Sequence, residues 1–214
     1  MKRVTLLAGL LLILVVLAVV GRKTPPPQPA SKPAPKTKAK RQEPTDFGAV
    51  TLFDLYDRGV RPLNGTGKKA NVFLFVRTDC PISNRYAPEV RRLHQTFSER
   101  GVAFWLIFPD PDETPETIRE YLKEFDYPCG ALRDPRHALV SATQAKITPE
   151  AAVFDAEQAL VYCGRIDDRF VAFGKERATA TTRDLRNVLE AVLAGKAVEF
   201  SRTKAVGCFI ADLK

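Results

Sequence analysis

The 214-residue chain carries 33 Lys and Arg against 25 Asp and Glu, a formal net charge of +8. Nine of the basic side chains but only Glu43 among the acids lie in residues 1–45, so residues 46–214 hold 24 of each sign and offer no concentrated positive surface for nucleic acid. A hydrophobic content of 45% excludes a wholly disordered chain, and four cysteines are too few for a disulfide scaffold.

Residues 4–21 (VTLLAGLLLILVVLAVVG) carry no charge, and as a helix they would extend roughly 27 Å, close to the ~30 Å hydrocarbon core of a bilayer. The run exceeds the usual core of a signal peptide, and Val19-Val20-Gly21 is a weak cleavage site. The expectation is a single-pass signal anchor over residues 1–22, the alternative being a cleaved signal peptide and a secreted domain. Seven prolines fall between Thr24 and Pro44, interleaved with Lys, Ala and Gln, so residues 23–45 read as an extended linker. Residues 46–214 are then one domain.

Within that domain, Asp46–Asp57 alternates in the manner of a first strand, and Asn64-Gly65 marks a turn. Ala70–Arg77 (ANVFLFVR) has the near-continuous apolar pattern of a strand covered on both faces. Tyr86, Val90, Leu93 and Phe97 then recur as the buried stripe of a helix that stops at Gly101. Val102–Phe108 predicts a second buried strand. Thr114 opens a capping box ahead of a helix bearing Ile118, Tyr121, Leu122 and Phe125. A loop through Asp134-Pro135 leads to a short helix from His137 to Ala145. Ala151–Asp155 and Leu160–Gly164 read as paired strands, and Leu185, Val188, Leu189 and Val192 as a late helix capped by Gly195. Strands alternating with helices, followed by a hairpin and a helix, give an α/β class with a sheet of mixed direction. Thr66-Gly67-Lys68-Lys69 is not a phosphate loop, because Pro62 stands at the first glycine position and Lys69 where Ser or Thr is needed.

Cys80 lies where a buried strand hands over to a helix, with Pro81 at the first helical position. Free amides and the positive end of a helix dipole favour a thiolate there, which is the setting of a nucleophile. The competing expectation is an inert thiol used as a small apolar group. Arg77, Arg85 and Arg165 are candidates to stabilise that thiolate, with surface solvation the default reading for each, and Asp79 would oppose them if its carboxylate turned toward the sulfur.

The strand, Cys80-Pro81-Ile82-Ser83 and the helix that follows resemble the thioredoxin superfamily, and Ile147-Thr148-Pro149 resembles that fold's cis-proline loop. More narrowly, TDCPISNRYAPEV, DPDET, TPEAAVFD, GRIDDRF and AVGCFI resemble bacterial redoxins of the alkyl hydroperoxide reductase and thiol-specific antioxidant type. The resemblance implies a thioredoxin-like mixed β-sheet flanked by helices, preceded by the membrane helix and linker. It implies thiol–disulfide exchange or peroxide reduction, with a thiol or disulfide protein or a peroxide as substrate, an unspecified reductant, and no cofactor. Cys80 would be the nucleophile, supported by Thr78, Pro81, Ser83, Thr148 and Pro149. The domain would sit on the periplasmic side of a bacterial inner membrane.

Three departures bear on the chemistry. A dithiol thioredoxin has its second thiol where this chain has Ser83. A typical peroxiredoxin has Thr three residues before its cysteine, where this chain has Arg77. Sco-type copper chaperones have a second cysteine where this chain has Asn84. Cys208, in the AVGCFI motif, is the candidate resolving partner. The alternative functions are a Sco-like copper chaperone, with Cys80, His137 and Cys208 offering soft ligands to Cu(I), and a non-catalytic binding module on the same fold. Cys129 and Cys163 read as structural, with a bridge between them left open.

Overall fold

The computed structural model describes residues 46–65, 67–198 and 200–211. The apolar run at 4–21 and the proline-rich segment lie outside them, and among the described residues no helix is long and apolar enough to cross a membrane.

The sheet is organised by β3 (Ala70–Phe75), all six of whose residues are buried. It pairs in parallel with β4 (Val102–Phe108), Ala70 opposite Val102, and antiparallel with β7 (Glu150–Asp155), Ala70 opposite Asp155. A strand flanked on both edges and covered on both faces sees no water, which is why its sequence is nearly continuously apolar. Further out lie β1 (Leu52–Phe53), β2 (Gly59–Val60), β5 (Gly130–Arg133), β8 (Leu160–Gly164) and β11 (Ser201–Arg202). The eight-stranded order is β11-β8-β7-β3-β4-β5-β1-β2.

Alternate residues of β3 feed two cores. Val72 and Leu74 meet the stripe Tyr86, Val90, Leu93 and Phe97 of α1 (Pro81–Phe97), Ile118 and Tyr121 of α2 (Pro115–Glu124), and Leu185 and Leu189 of α4 (Asp184–Leu193). Phe73 and Phe75 face the other way, toward Leu139 and Val140 of α3 (Ala138–Thr143) together with Leu52, Ile107 and Phe154. Helix ends follow the sequence signals. Gly101 takes a left-handed φ of 96° after the turn that closes α1, and the Thr114 hydroxyl accepts the Thr117 amide at 3.2 Å to cap α2.

Two expectations need correction, and two elements add to them. Asp46–Asp57 is not one strand: Phe47–Ala49 forms a single 3-10 turn and only Leu52–Phe53 pairs. The stretch expected as a loop before Asp134 contains β5, an inner parallel strand with Gly130 opposite Trp105. A Cβ on Gly130 would meet the Trp105 ring at 2.6 Å, so this strand is identified by what packs on it and not by its own composition. A hairpin of β9 (Phe170–Ala172) and β10 (Lys175–Glu176) follows β8. The AVGCFI segment contributes β12 (Cys208–Phe209), which pairs antiparallel with β6 (Ile147–Thr148) outside the main sheet.

A bridge between Cys129 and Cys163 is absent, and both thiols are free. Cys129 immediately precedes β5, whereas Cys163 lies on β8, four strand spacings away at about 19 Å. A disulfide needs Cα atoms within about 7 Å.

Candidate redox site

Cys80 is the N-cap of α1, in extended conformation, and Pro81 takes the first helical position, where its missing N–H costs nothing. The Cys80 carbonyl accepts the Asn84 amide at 3.1 Å, and its own amide donates to the Arg77 carbonyl at 3.3 Å. The side chain is fully buried, and its thiol donates to the Thr148 carbonyl at 3.1 Å. Thr148 precedes Pro149 across a cis peptide bond.

Cys208 stands opposite Thr148 in the β6–β12 ladder, and the Thr148 hydroxyl donates to the Cys208 carbonyl at 3.4 Å. The fold therefore brings Cys80 and Cys208 together although 127 residues separate them. Burial pushes the Cys80 thiol up, but the thiol of Cys208, the amide and hydroxyl of Ser83 and the amide of Cys208 outweigh it and hold Cys80 below the ordinary thiol value. The Ser83 hydroxyl is fully buried with no partner at hydrogen-bonding geometry, which leaves it available to a Cys80 thiolate. For Cys208 the balance is reversed: burial, then the bond to Cys80 and the Cys80 charge, push it up to about 12. Of the two sulfurs, Cys80 is the one poised to ionise first. Cys129 and Cys163 are pushed up to about 12, chiefly by burial.

This ordering predicts a pH profile. Alkylation of Cys80 follows its thiolate, so the rate rises with pH through a midpoint below that of an ordinary thiol. Ser83→Ala removes a donor to the anion and moves the midpoint upward, as read from iodoacetamide labelling of the Cys80 peptide between neutral and alkaline pH. A midpoint at or above that of a free thiol in the native chain would contradict the electrostatics described here.

The three candidate arginines are paired with carboxylates. Arg77 is engaged by Asp79 at 2.9 Å and Asp110 at 3.1 Å, Arg85 by Glu176 at 3.0 Å, and Arg165 by Asp184 at 2.8 Å. Asp79 is drawn to Arg77, with its side chain 67% exposed. His137, N-cap of α3, donates its Nε2 proton to the Pro109 carbonyl at 2.9 Å. A carbonyl can only accept, so that nitrogen has no lone pair for a metal. Among the described residues no three His, Cys, Asp or Glu side chains form a metal-binding group, so Cys80, His137 and Cys208 are not assembled as one.

Two carboxylates that sequence reasoning passed over shape the site. Glu113 of the DPDET segment accepts the Thr78 amide at 2.6 Å and so fixes the turn leading into Cys80, while its second oxygen is buried without a partner. Burial pushes this carboxyl above the usual range. Glu150, buried just after Pro149, accepts the amides of Lys146 at 2.8 Å and Ile147 at 3.2 Å and thereby holds the cis-proline loop. Neither has a local motif, since each carboxylate matters only through amides that the fold brings to it. Thr78 engages Glu113 through its side chain as well as its amide, and its carbonyl accepts from the Asn84 side chain at 3.4 Å.

Comparison with known proteins places the geometry. The crystal structure of a hypothetical protein from Sinorhizobium meliloti is 27% identical, covering 75% of this chain and 88% of that one with a TM-score of 0.64. An uncharacterized conserved protein from Geobacillus kaustophilus is likewise 27% identical, over 75% and 86%, at 0.64. A putative thioredoxin from Neisseria meningitidis shares the fold at 16% identity, over 70% and 90%, at 0.53. No curated protein matches the chain. The AhpC/TSA family matches residues 30–163, a span that includes Cys80, Thr148 and Pro149 and stops short of Cys208. With a thioredoxin-like mixed sheet, a cysteine capping its first long helix and a cis-proline preceded by the Thr148 carbonyl that accepts that cysteine's thiol, the chain belongs to the AhpC/TSA family of thioredoxin-like redoxins.

Proposed function

We propose that the protein is a thiol-dependent oxidoreductase in which Cys80 is the nucleophile and Cys208 the resolving thiol. The observation that carries this reading is the placement of Cys208 against Cys80 by the β6–β12 ladder, with Cys80 the more acidic of the two. The Cys80 thiolate attacks either a peroxide oxygen or a sulfur of a disulfide. With a peroxide, the O–O bond breaks, the leaving oxygen takes a proton, and Cys80 becomes a sulfenic acid. With a disulfide, the S–S bond breaks, one substrate thiolate leaves, and a mixed disulfide forms. In either case Cys208, deprotonated as it attacks, displaces hydroxide or the second substrate thiolate from the Cys80 sulfur. The result is a Cys80–Cys208 disulfide, returned to two thiols by an external dithiol reductant. No cofactor is needed in this cycle.

Location enters the same reading. Residues 1–22 act as a signal anchor, residues 23–45 as a spacer, and residues 46–214 as the redoxin domain on the periplasmic face of a bacterial inner membrane. The support is the 18-residue uncharged run followed by the proline-rich stretch. Protection of the domain from protease added to spheroplasts would overturn that topology.

The resolving role is tested by oxidising the full chain with one equivalent of hydrogen peroxide and mapping disulfides by mass. The expected product is a Cys80–Cys208 bridge within one chain. In Cys208→Ser, Cys80 instead persists as a sulfenic acid that a dione trap captures. Cys80 bonded to Cys129, or left unpaired in the native sequence, rejects the assignment.

A further inference from the structure

Cys80 is 0% exposed, yet every step above needs its sulfur to meet an incoming atom. Toward the interior it belongs to the core that also holds Tyr121 of α2, with Ser83 of α1 and the Thr148 carbonyl beside it, and Cys208, carried on β12, is a further neighbour. On the side of Cys208, what covers the sulfur is a two-residue strand.

That strand is held by few interactions. The ladder spans Cys208 opposite Thr148 and Phe209 opposite Ile147, and the Ile210 amide donates to the Lys146 carbonyl at 2.9 Å. Close approach depends on Gly207, where a Cβ would stand 2.0 Å from the Thr148 carbonyl oxygen. Apolar burial is concentrated at the start of the segment, where Ala205 is buried and Val206 packs on the core; beyond it Phe209 is 76% exposed, Cys208 and Ile210 are half-buried, and beside them lies an open groove of about 640 Å³ lined by His137, Val140, Gln144 and Phe209. The preceding segment is anchored better. β11 joins the main sheet next to β8, and Arg202 donates to the Thr143 carbonyl at 2.6 Å and the Gln144 carbonyl at 3.2 Å. A two-pair ladder outside the main sheet belongs to the less stable part of a fold, and it can open while the sheet stays intact.

We infer that residues 205–210 form a strap over Cys80 that admits small reagents with slight displacement and must leave β6 before a polypeptide disulfide can reach the sulfur. The inference rests on the reading of Cys80 as nucleophile and deepens it by making the strap a determinant of substrate size. The same segment carries the resolving thiol, so the strap that restricts entry must reseat to complete the cycle. A polypeptide substrate meets Cys80 with the strap off, forms the mixed disulfide, and is displaced when the strap returns Cys208.

The test compares iodoacetamide with a maleimide on a long polyethylene glycol chain, both scored as loss of the unmodified Cys80 peptide and normalised to free cysteine. It uses the full chain, Gly207→Ala, whose added methyl forces β12 off Thr148, and a chain ended after Lys204. In the native sequence the bulky reagent should be disfavoured relative to the small one by at least about 100-fold, and in both variants that discrimination should fall at least about tenfold. Gly207→Ala answers the question if the shortened chain fails to fold. A native ratio equal to that of free cysteine, or one unchanged in the variants, overturns the strap. Iodoacetamide labelling of Cys80 that stays slower than free cysteine at neutral pH even in the variants overturns the nucleophile reading, and the strap with it.

Discussion

Replacing Cys80 with serine should abolish turnover while leaving the fold intact. An alcohol is barely ionised near neutral pH and gains nothing comparable from an adjacent helix N-terminus, so the attacking anion disappears. Loss of a covalent nucleophile typically costs at least about 10³-fold in rate. The native Cys80 thiol is fully buried and donates to the Thr148 carbonyl, a bond that a serine hydroxyl can also make, so the substitution keeps the local hydrogen-bonding pattern. Stopped-flow consumption of hydrogen peroxide and reduction of a model disulfide, measured on both proteins, separate the two chemistries. Fast saturable peroxide consumption lost in Cys80→Ser identifies a peroxidase; negligible consumption with normal disulfide exchange identifies a disulfide oxidoreductase. Equal rates for the two proteins in both assays exclude Cys80 as the nucleophile.

The largest expected effect on stability lies on the opposite face of the sheet. Phe154 of β7 is fully buried, edge-on to Phe47 at 4.8 Å and to Phe73 at 5.5 Å between ring centroids. Phe154→Ala removes a large apolar group and leaves a cavity beneath central strands that cannot collapse into it. The expected cost is about 3–5 kcal/mol, a large share of the 5–15 kcal/mol typical of a whole domain. At this chain length the melting temperature should fall by about 6–20 °C. Phe154 stands five residues from Pro149 along β7, about 17 Å, and feeds the other core, so the pH midpoint of Cys80 alkylation should not move. Chemical denaturation and the labelling profile on the same sample check both halves. A shifted midpoint would show that the two faces of the sheet are coupled.

The contrast between these predictions matches a contrast in legibility. β3 and β4 are readable because a strand covered on both faces has no polar alternative, and α1 because its stripe at spacings of 4, 3 and 4 has one way to face the sheet. β5 and the hairpin at 170–176 escape such reading, being short strands with little periodicity whose pairing comes from neighbours distant in sequence. The arginines show the same limit. Their positive charge is visible in the sequence, but Asp110, Glu176 and Asp184, which take it up, are chosen by the folded chain.

At the site itself the division is equally physical. The sequence alone determined that Cys80 would cap a helix behind Pro81, because strand, cap and helix are local patterns set by hydrophobic period and backbone geometry. It also placed the net charge of +8 in residues 1–45, leaving the domain balanced at 24 against 24. The tertiary structure decided what that cysteine touches: the Thr148 carbonyl across the cis-proline, the orphaned Ser83 hydroxyl, and Cys208 on a strand held by Gly207. It also left His137 on the Pro109 carbonyl, so that no His, Cys and Cys ligand group forms among the described residues. Contacts between residues far apart in the chain follow from packing and strand register, which no local pattern encodes, and those contacts set which thiol ionises first and what must move for a substrate to reach it.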